Sequence, residues 1–307
     1  MGRAWYQSAI FRSPKAIVIA VLAVAAASAL VSPPSAPATA STTVYQGPGT
    51  WIDIFDATLL ADPVGTVQQL SLSGVRTIYV ETANYTNPRY GSIAYPIGIA
   101  ALIDAAHASG LKVVAWYLPG FLSARRDLRR SLDAIRFTTL AGNRFDSFAL
   151  DIEANRVRRI ATRNKRAVRL SKKIRAAVGA DYPLAAIVPD QRSTSVWLPS
   201  MWPRFPYRRL GPLYDVFLPM SYSSYRGRGA TFVYTYTRAN VEYLRAATHD
   251  PLLPVHVIGG LANKLGSSED AAVIQAARDE GTLGASFYKL RLSGTGEWQA
   301  LVDGFTP

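Results

Sequence analysis

Short β-rich runs, each followed by a stretch that suits a helix, recur along most of this 307-residue chain. The eight runs are WIDIFD (51–56), VRTIYVET (75–82), KVVAWYL (112–118), FDSFALDIE (145–153), LAAIVPD (184–190), DVFLPMSY (215–222), VHVIGG (255–260) and GASFYKL (284–290). Eight strand–helix units in about 250 residues are the signature of a (β/α)8 barrel. We therefore predict an α/β fold, a (β/α)8 TIM barrel, over residues 41–307. A doubly wound open sheet is the alternative, but its GxGxxG turn after the first strand is absent.

The first 40 residues differ in composition from this pattern. Arg3, Arg12 and Lys15 precede an uncharged apolar run over residues 16–31, and the Pro/Ala-rich stretch SPPSAPATAST follows. A basic start, an apolar run and small residues form the layout of a secretory signal. We predict an exported protein, extracellular or held at the cell envelope, with residues 1–40 as a cleaved signal peptide or an uncleaved membrane anchor with a linker.

The net charge of +13 is concentrated in the middle of the chain. Residues 125–175 hold 16 Lys and Arg against five Asp and Glu. Within them, residues 154–178 carry apolar residues at helical spacing and a basic outer face, which predicts a basic helix. A solvated helix face is one interpretation. The other is attraction to anionic lipid or to an acidic cell-wall polymer. Nucleic acid fits poorly with an exported chain.

Several chemistries are disfavoured by what the sequence lacks. It has no cysteine, and its three histidines show no metal-ligand spacing. It contains neither a G-x-S-x-G motif nor a Walker sequence. We predict neither a metal site nor a cofactor.

The run FDSFALDIE places two carboxylates at the end of the fourth predicted strand. Alternation puts Asp151 and Glu153 on one face, and Phe148, Leu150 and Ile152 on the other. Strand rise puts the two Cβ atoms about 6.5–7 Å apart. Active sites of such barrels lie at the carboxyl ends of the strands, where two close acids would hold one proton between them. This arrangement suits general acid catalysis, and an acid pair bound by arginine is the structural alternative.

Other polar and aromatic residues fall at predicted strand ends. We expect Glu81 to face inward and bind a sugar hydroxyl, or else to be a buried acid satisfied by arginine. Aromatic rings around a barrel mouth suit stacking on pyranose rings. The substrate-binding candidates are Glu81, Tyr117, Asp190, Met220 and Tyr288, and Tyr222 is a candidate for the catalytic set.

Asp146, Asp151 and Glu153 resemble the D-x-x-D-x-D-x-E signature of the chitinase-like glycoside hydrolases of family 18. The resemblance implies that Glu153 is the general acid/base and that Asp151 orients the substrate's N-acetyl group, the internal nucleophile. Met220-Ser221-Tyr222 is similar to the family's M-x-Y, whose Tyr supports that group. The chain has Ala149 and Ser223 where the family pattern has Asp.

A weaker resemblance links the D-x-E stretch to the family 25 lysozymes, which cut peptidoglycan. It implies an acid from the first strand, Asp53 or Asp56. The end of the seventh predicted strand, VHVIGGLANK, has no acid, although two-carboxylate retaining barrels usually carry their nucleophile there. This disfavours a conventional double displacement and leaves substrate-assisted hydrolysis open.

These patterns predict a glycoside-hydrolase-like protein that cleaves a polysaccharide or peptidoglycan-type glycan of the cell envelope. Glu153, Asp151 and Tyr222 are its predicted catalytic residues. Membrane association through the N-terminal segment and the basic helix 154–178 is a further hypothesis. The rival prediction is a barrel that binds glycan or a partner without turnover, and Ala149 and Ser223 favour it.

Overall fold

The computed structural model describes residues 40–87, 91–196 and 198–305, and these form a (β/α)8 barrel. The prediction of the fold is confirmed. The predicted signal or anchor segment lies outside the described residues except for Ala40. Among the described residues, no helix combines the length and the apolar character needed to cross a membrane.

Eight parallel strands form the barrel wall in the order β6-β5-β4-β3-β2-β1-β8-β7. Isolated parallel bridges from Phe217 to Val255 and from Met220 to Ile258 join β6 to β7. The strands are β1 (Gly47–Ile52), β2 (Thr77–Asn84), β3 (Lys112–Leu118), β4 (Ser147–Asp151), β5 (Leu184–Val188), β6 (Val216–Pro219), β7 (His256–Leu261) and β8 (Gly284–Tyr288).

Helices fill the connections between the strands. They are α1 (Ala57–Ala61), α2 (Pro63–Leu72), α3 (Pro96–Ala108), α4 (Ala124–Arg136), α5 (Ile160–Val178), α6 (Gln191–Thr194), α7 (Tyr207–Leu210), α8 (Ala230–Thr248), α9 (Ser267–Asp279) and α10 (Thr295–Phe305). Local sequence signals fix several ends. Gly110 has φ +74° just past α3, a conformation that glycine adopts without strain. Glu269 accepts a hydrogen bond from the Gly266 N–H at the start of α9.

The basic segment 154–178 is helical only from Ile160 onward, so the predicted helix is wrong in its first six residues. Those residues form the connection from β4 to α5. The side chain of Arg163 turns back and donates to the carbonyl oxygens of Asn155 and Val157. These bonds hold the connection in a non-helical conformation and bury Arg163.

A column of aromatic side chains fills the barrel interior. Tyr45, from a 3-10 turn before β1, lies at the amino-terminal end of the barrel and packs against Tyr79. Tyr79 stacks on Trp51 with ring centroids 4.2 Å apart, and Trp51 meets the edge of Trp116 at 5.9 Å. The interior is therefore a packed core, and only the carboxyl ends of the strands are available for a site.

Several polar groups inside this column form hydrogen bonds with one another or with the backbone. The Tyr45 hydroxyl donates to Ser147 Oγ at 2.5 Å, and the Trp51 Nε1–H donates to Ser286 Oγ at 2.8 Å. His256 donates from Nδ1 to the Tyr45 carbonyl oxygen, and burial lowers its pKa to about 4. His256 is therefore a neutral core residue at physiological pH.

Replacing Trp51 by alanine tests the role of the column. We expect Trp51→Ala to lower the free energy of unfolding by about 3–5 kcal/mol, because the change leaves a cavity beside Tyr79 and Trp116. Leu72→Ala is the matched control, since Leu72 is 91% exposed, and it should change stability by less than ~0.5 kcal/mol. Denaturant unfolding measures both, and equal small losses in the two variants would contradict the packed column.

Candidate functional site

Acidic and phenolic side chains converge at the carboxyl ends of the strands. Asp53 and Glu153 are among the charges that raise the pKa of Glu81. Glu153 and Glu81 are among the charges that raise the pKa of Asp151. Strands on different sides of the barrel thus bring these groups within interacting distance. We call the following set the mouth cluster: Asp53, Glu81, Asp151, Glu153, Tyr222 and Tyr288.

The phase of β4 is the one predicted from alternation. Ser147 faces the interior, where it bonds Tyr45, and Asp151 lies four residues further on the same face. Asp151 is the last residue of β4, and Glu153 follows two residues later. Both acids of the pair therefore reach the mouth of the barrel.

Asp151 is a buried carboxyl without local compensation. Its side chain is buried, and its Oδ1 atom has no hydrogen-bond partner within the described residues. Burial, then the neighbouring Glu153 and Glu81, raise the pKa of Asp151 well above its ordinary value. Burial also raises the pKa of Glu153. Because the charged forms are disfavoured, the Asp151–Glu153 pair retains a proton at pH values where isolated carboxyls are ionised.

Cations do not neutralise this pair in the part of the chain that the structure describes. No arginine or lysine there forms an ion pair with Asp151 or Glu153. The structural alternative, an acid pair bound by arginine, therefore finds no support among these residues. A protonated carboxyl beside an ionised one can donate a proton to a ligand in the mouth.

Glu81 is held by two donors that are not cations. Its Oε2 accepts from the Ile54 backbone N–H at 3.0 Å, and its Oε1 accepts from Asn84 Nδ2 at 2.9 Å. Burial, with smaller contributions from Asp53 and Glu153, nevertheless raises the pKa of Glu81 to about 8. Glu81 is therefore largely protonated at pH 7 and is fixed in position by the β1 connection and by β2.

The acids that follow β1 have a different environment. Lys289 places Nζ 2.7 Å from Asp53 Oδ2 and 3.0 Å from Asp56 Oδ1. The Tyr288 hydroxyl donates to the same oxygen of Asp53 at 2.8 Å, and the Phe55 N–H donates to its other oxygen. Asp53 and Asp56 are thus paired with the half-buried Lys289, whereas Asp151 and Glu153 have no cation partner among the described residues.

Tyrosine rings border the acid pair. The ring of Tyr222 lies 6.4 Å from that of Tyr288 and 6.2 Å from that of Tyr225, centroid to centroid. Burial, then the charges of Glu153 and Asp151, raise the pKa of Tyr222 well above its ordinary value. Tyr222 therefore stays a hydrogen-bond donor over the whole physiological range, beside the two carboxyls.

Three predicted binding residues lie elsewhere or have other partners. Tyr117 is fully buried behind the barrel wall, where its hydroxyl donates to Asp127 of α4. Asp190 caps α6 by accepting from the Ser193 N–H and is ion-paired to Arg226 at 3.0 Å. Met220, half-buried, packs against the core beside the β6–β7 junction.

The inward aromatic residue of β3 is Trp116, whereas the predicted substrate-binding residue was its neighbour Tyr117. Its ring meets Trp51, and its indole Nε1 has no hydrogen-bond partner among the described residues. Lys289 follows directly on β8 and is a further residue of the site. Its position at the end of a predicted strand indicates it, but its pairing with Asp53 depends on the closed barrel.

The positions that depart from the family 18 pattern are buried. Ala149 has no exposed surface and pairs with Trp116 on β3 and Ala185 on β5. Ser223 is buried, and its Oγ has no partner within the described part. Asp146 lies at the opposite end of β4, where it bonds His107, Lys112 and the Val113 N–H. Only the last two acids of the four-acid signature therefore reach the mouth.

Metal binding has no geometric basis in the described residues, where no group of three or more His, Cys, Asp or Glu side chains could hold an ion.

Sequence comparison gives no relatives: no protein-family model matches the chain, and a comparison with curated protein sequences finds no match. Structure comparison finds solved structures with a similar fold. A family GH18 chitinase from Cycas revoluta in complex with allosamidin aligns with a TM-score of 0.62 at 11% identity, over 85% of this chain and 100% of that chain. The spore cortex-lytic enzyme SleL from Bacillus cereus gives 0.61 at 11%, over 85% and 74%. An endo-β-1,4-mannanase from Thermotoga petrophila gives 0.62 at 9%, over 84% and 76%. The chain therefore shares the TIM-barrel fold of these proteins.

Proposed function

We propose that the protein is an exported glycoside hydrolase that cleaves an amino-sugar polysaccharide of the cell envelope. The observation that carries the proposal is the pair of the buried Asp151 and the half-buried Glu153, which no described cation neutralises and in which Asp151 Oδ1 lacks a partner among the described residues. A buried acceptor without a partner costs free energy unless a ligand satisfies it. Export is supported by the sequence pattern of residues 1–40, and the glycan class by the fold and the motif resemblance.

The acetamido N–H of a bound amino sugar would satisfy Asp151 Oδ1. A hydrogen bond to the carboxylate favours its ionised form, so binding would lower the pKa of Asp151 and leave the shared proton on Glu153. The substrate would thus place the proton on the residue that must donate it. A ligand without the acetamido group would not cause this change.

Glu153 then donates its proton to the glycosidic oxygen as the bond from that oxygen to the anomeric carbon breaks. The carbonyl oxygen of the substrate's own acetamido group attacks the anomeric carbon and closes an oxazolinium ring, whose N–H is stabilised by the Asp151 carboxylate. Water next attacks the anomeric carbon, its proton returns to Glu153, and the ring opens to the acetamide. Tyr222, a phenol in all relevant conditions, holds the acetamido group beside the pair.

A non-catalytic glycan-binding barrel is the second candidate. The observation that favours it is the replacement of two acids of the family pattern by the buried residues Ala149 and Ser223. In such a protein the mouth cluster would bind sugar hydroxyls and acetamido groups without bond cleavage.

Substituting Glu153 by glutamine separates the two candidates. We expect Glu153→Gln to lower the release of reducing ends from peptidoglycan and from chitin-type oligosaccharides by 10²-fold or more, because the amide cannot supply the proton. The control is Glu242→Gln, on the exposed face of α8, which should retain wild-type activity. Equal activity of wild type and Glu153→Gln would eliminate Glu153 as the acid. Tight glycan binding by an inactive wild type would favour the second candidate.

Protonation of the mouth at neutral pH is testable through stability. The pKa of Glu81 is raised in the folded state to about 8 from its ordinary 4.5, so the folded state binds more protons between these values. Stability contributed by Glu81 is therefore full below about pH 4.5 and is lost as the pH rises towards 8. We expect Glu81 to contribute about 2–5 kcal/mol to the decline of the free energy of unfolding over this window, and this contribution to be absent in Glu81→Gln. Urea unfolding at a series of pH values measures this, and parallel curves for the two proteins would refute the assignment.

A further inference from the structure

Two adjoining cavities at the barrel mouth are lined by arginine side chains. One, of about 490 Å³, is lined by Asn155, Arg156, Arg158, Arg163, Ser200 and Met201. The other, of about 510 Å³, is lined by Arg192, Leu198, Pro199, Ser200, Tyr225 and Arg226. Because Ser200 lines both, they form one depression, which we call the arginine groove.

Two lining residues of the arginine groove, one from each cavity, are neighbours of the mouth cluster. Asn155 follows Glu153 by two residues, and Tyr225 lies against Tyr222 with ring centroids 6.2 Å apart. A polymer bound across the Asp151–Glu153 pair would therefore extend into the groove.

The charge of the groove is not neutralised by the described residues. Arg156 and Arg158 are exposed, Arg192 is half-buried, and none of the three forms an ion pair in the described part of the chain. Arg226 alone of the lining arginines has an acidic partner, the buried Asp190. Several like charges facing one depression repel one another, and an anion bound among them would remove that repulsion.

Arg163 makes the groove a built feature and not a chance gathering of surface side chains. It is 4% exposed, and its three donor nitrogens are bonded to the carbonyl oxygens of Val157, Met201 and Asn155. Its guanidinium also lies over the Trp202 ring, 4.7 Å from the centroid. This buried cation thus fixes the backbone on both sides of the cavity. Its charge is stabilised by carbonyl dipoles and by the Trp202 ring, and it has no carboxylate partner among the described residues.

The backbone beneath the exposed arginines adds to the positive potential. Helix α5 begins at Ile160, directly after Arg156, Arg158 and Arg159. Its first turn has no acidic residue and its start has no side-chain cap. Cations at a helix amino terminus are unfavourable, so this placement is opposite to the one that stability alone selects.

We propose that the arginine groove binds negatively charged substituents, carboxylate or phosphate, on the sugars next to the bond that Glu153 protonates. The inference rests on the proposed function and narrows the substrate class from amino-sugar polymers in general to acidic ones. Guanidinium groups suit it because they bind carboxylate and phosphate through paired donors.

The test compares tetrasaccharides of equal length that differ in charge. The probes are chitotetraose, which is neutral, a tetrasaccharide with a lactyl carboxylate on alternate amino sugars, and chitotetraose phosphorylated on a 6-hydroxyl. Affinity is measured by calorimetry with the full-length chain carrying Glu153→Gln, and cleavage by kcat/KM with the active chain. We expect both anionic probes to bind better than the neutral one, and the tighter of the two identifies the substituent.

The variant Arg156→Gln/Arg158→Gln removes two exposed charges from the groove. We expect the ratio of anionic to neutral affinity to fall roughly tenfold, since two charge-assisted contacts are lost. The control, Arg129→Gln/Lys172→Gln, removes two exposed charges from α4 and α5 away from the groove and should leave the ratio within about twofold. Thermal unfolding checks that both variants remain folded.

The outcomes separate the groove from the reaction. A charge preference that depends on Arg156 and Arg158, in a wild-type chain that cleaves none of the probes, would retain the groove and reject the hydrolase. Cleavage with no preference for anionic probes, or with a preference that the double variant retains, would reject the groove and retain the hydrolase.

Discussion

Filling the barrel interior is the constraint on which the rest of the structure depends. Parallel strands that close on themselves direct half of their side chains inward, and this chain fills that space with large rings from Tyr45 up to Trp116. The inward carboxyl groups Asp151 and Glu81 lie in the carboxyl-terminal halves of β4 and β2. Burial by the same packing is the first cause of their raised pKa values.

The carboxyl groups on two sides of the barrel mouth have opposite electrostatic environments. Beside β1 and β8, Lys289 forms ion pairs with both Asp53 and Asp56. Beside β4, no described cation does so, and the cost of burial falls on the charged forms of Asp151 and Glu153. Such asymmetry between neighbouring acids is how a protein keeps one carboxyl as a proton donor while others remain anions.

The sequence predicted the fold and the phase of β4, but it did not predict every partner. Strand β3 has the predicted bounds. Alternation there does not say which of Trp116 and Tyr117 faces inward, because both side chains are large amphipathic rings. The contact of Trp116 with Trp51 shows that Trp116 is the inward one. Asp190 ends the fifth predicted strand, but its spacing to Ser193 also matches a helix cap. The pairing of Lys289 with Asp53 joins residues 236 positions apart, so no local pattern could have predicted it.

The side chain of Arg163 links two connections of the barrel by hydrogen bonds. Its guanidinium bonds carbonyl oxygens of the β4–α5 connection at Asn155 and Val157 and of the β5–α7 connection at Met201. If the backbone of one connection moves, the other must therefore move with it, or a buried hydrogen bond to Arg163 breaks. The segment just after Glu153 is tied in this way to a stretch of chain nearly 50 residues away, so insertions that lengthen either connection would be constrained by the reach of one side chain.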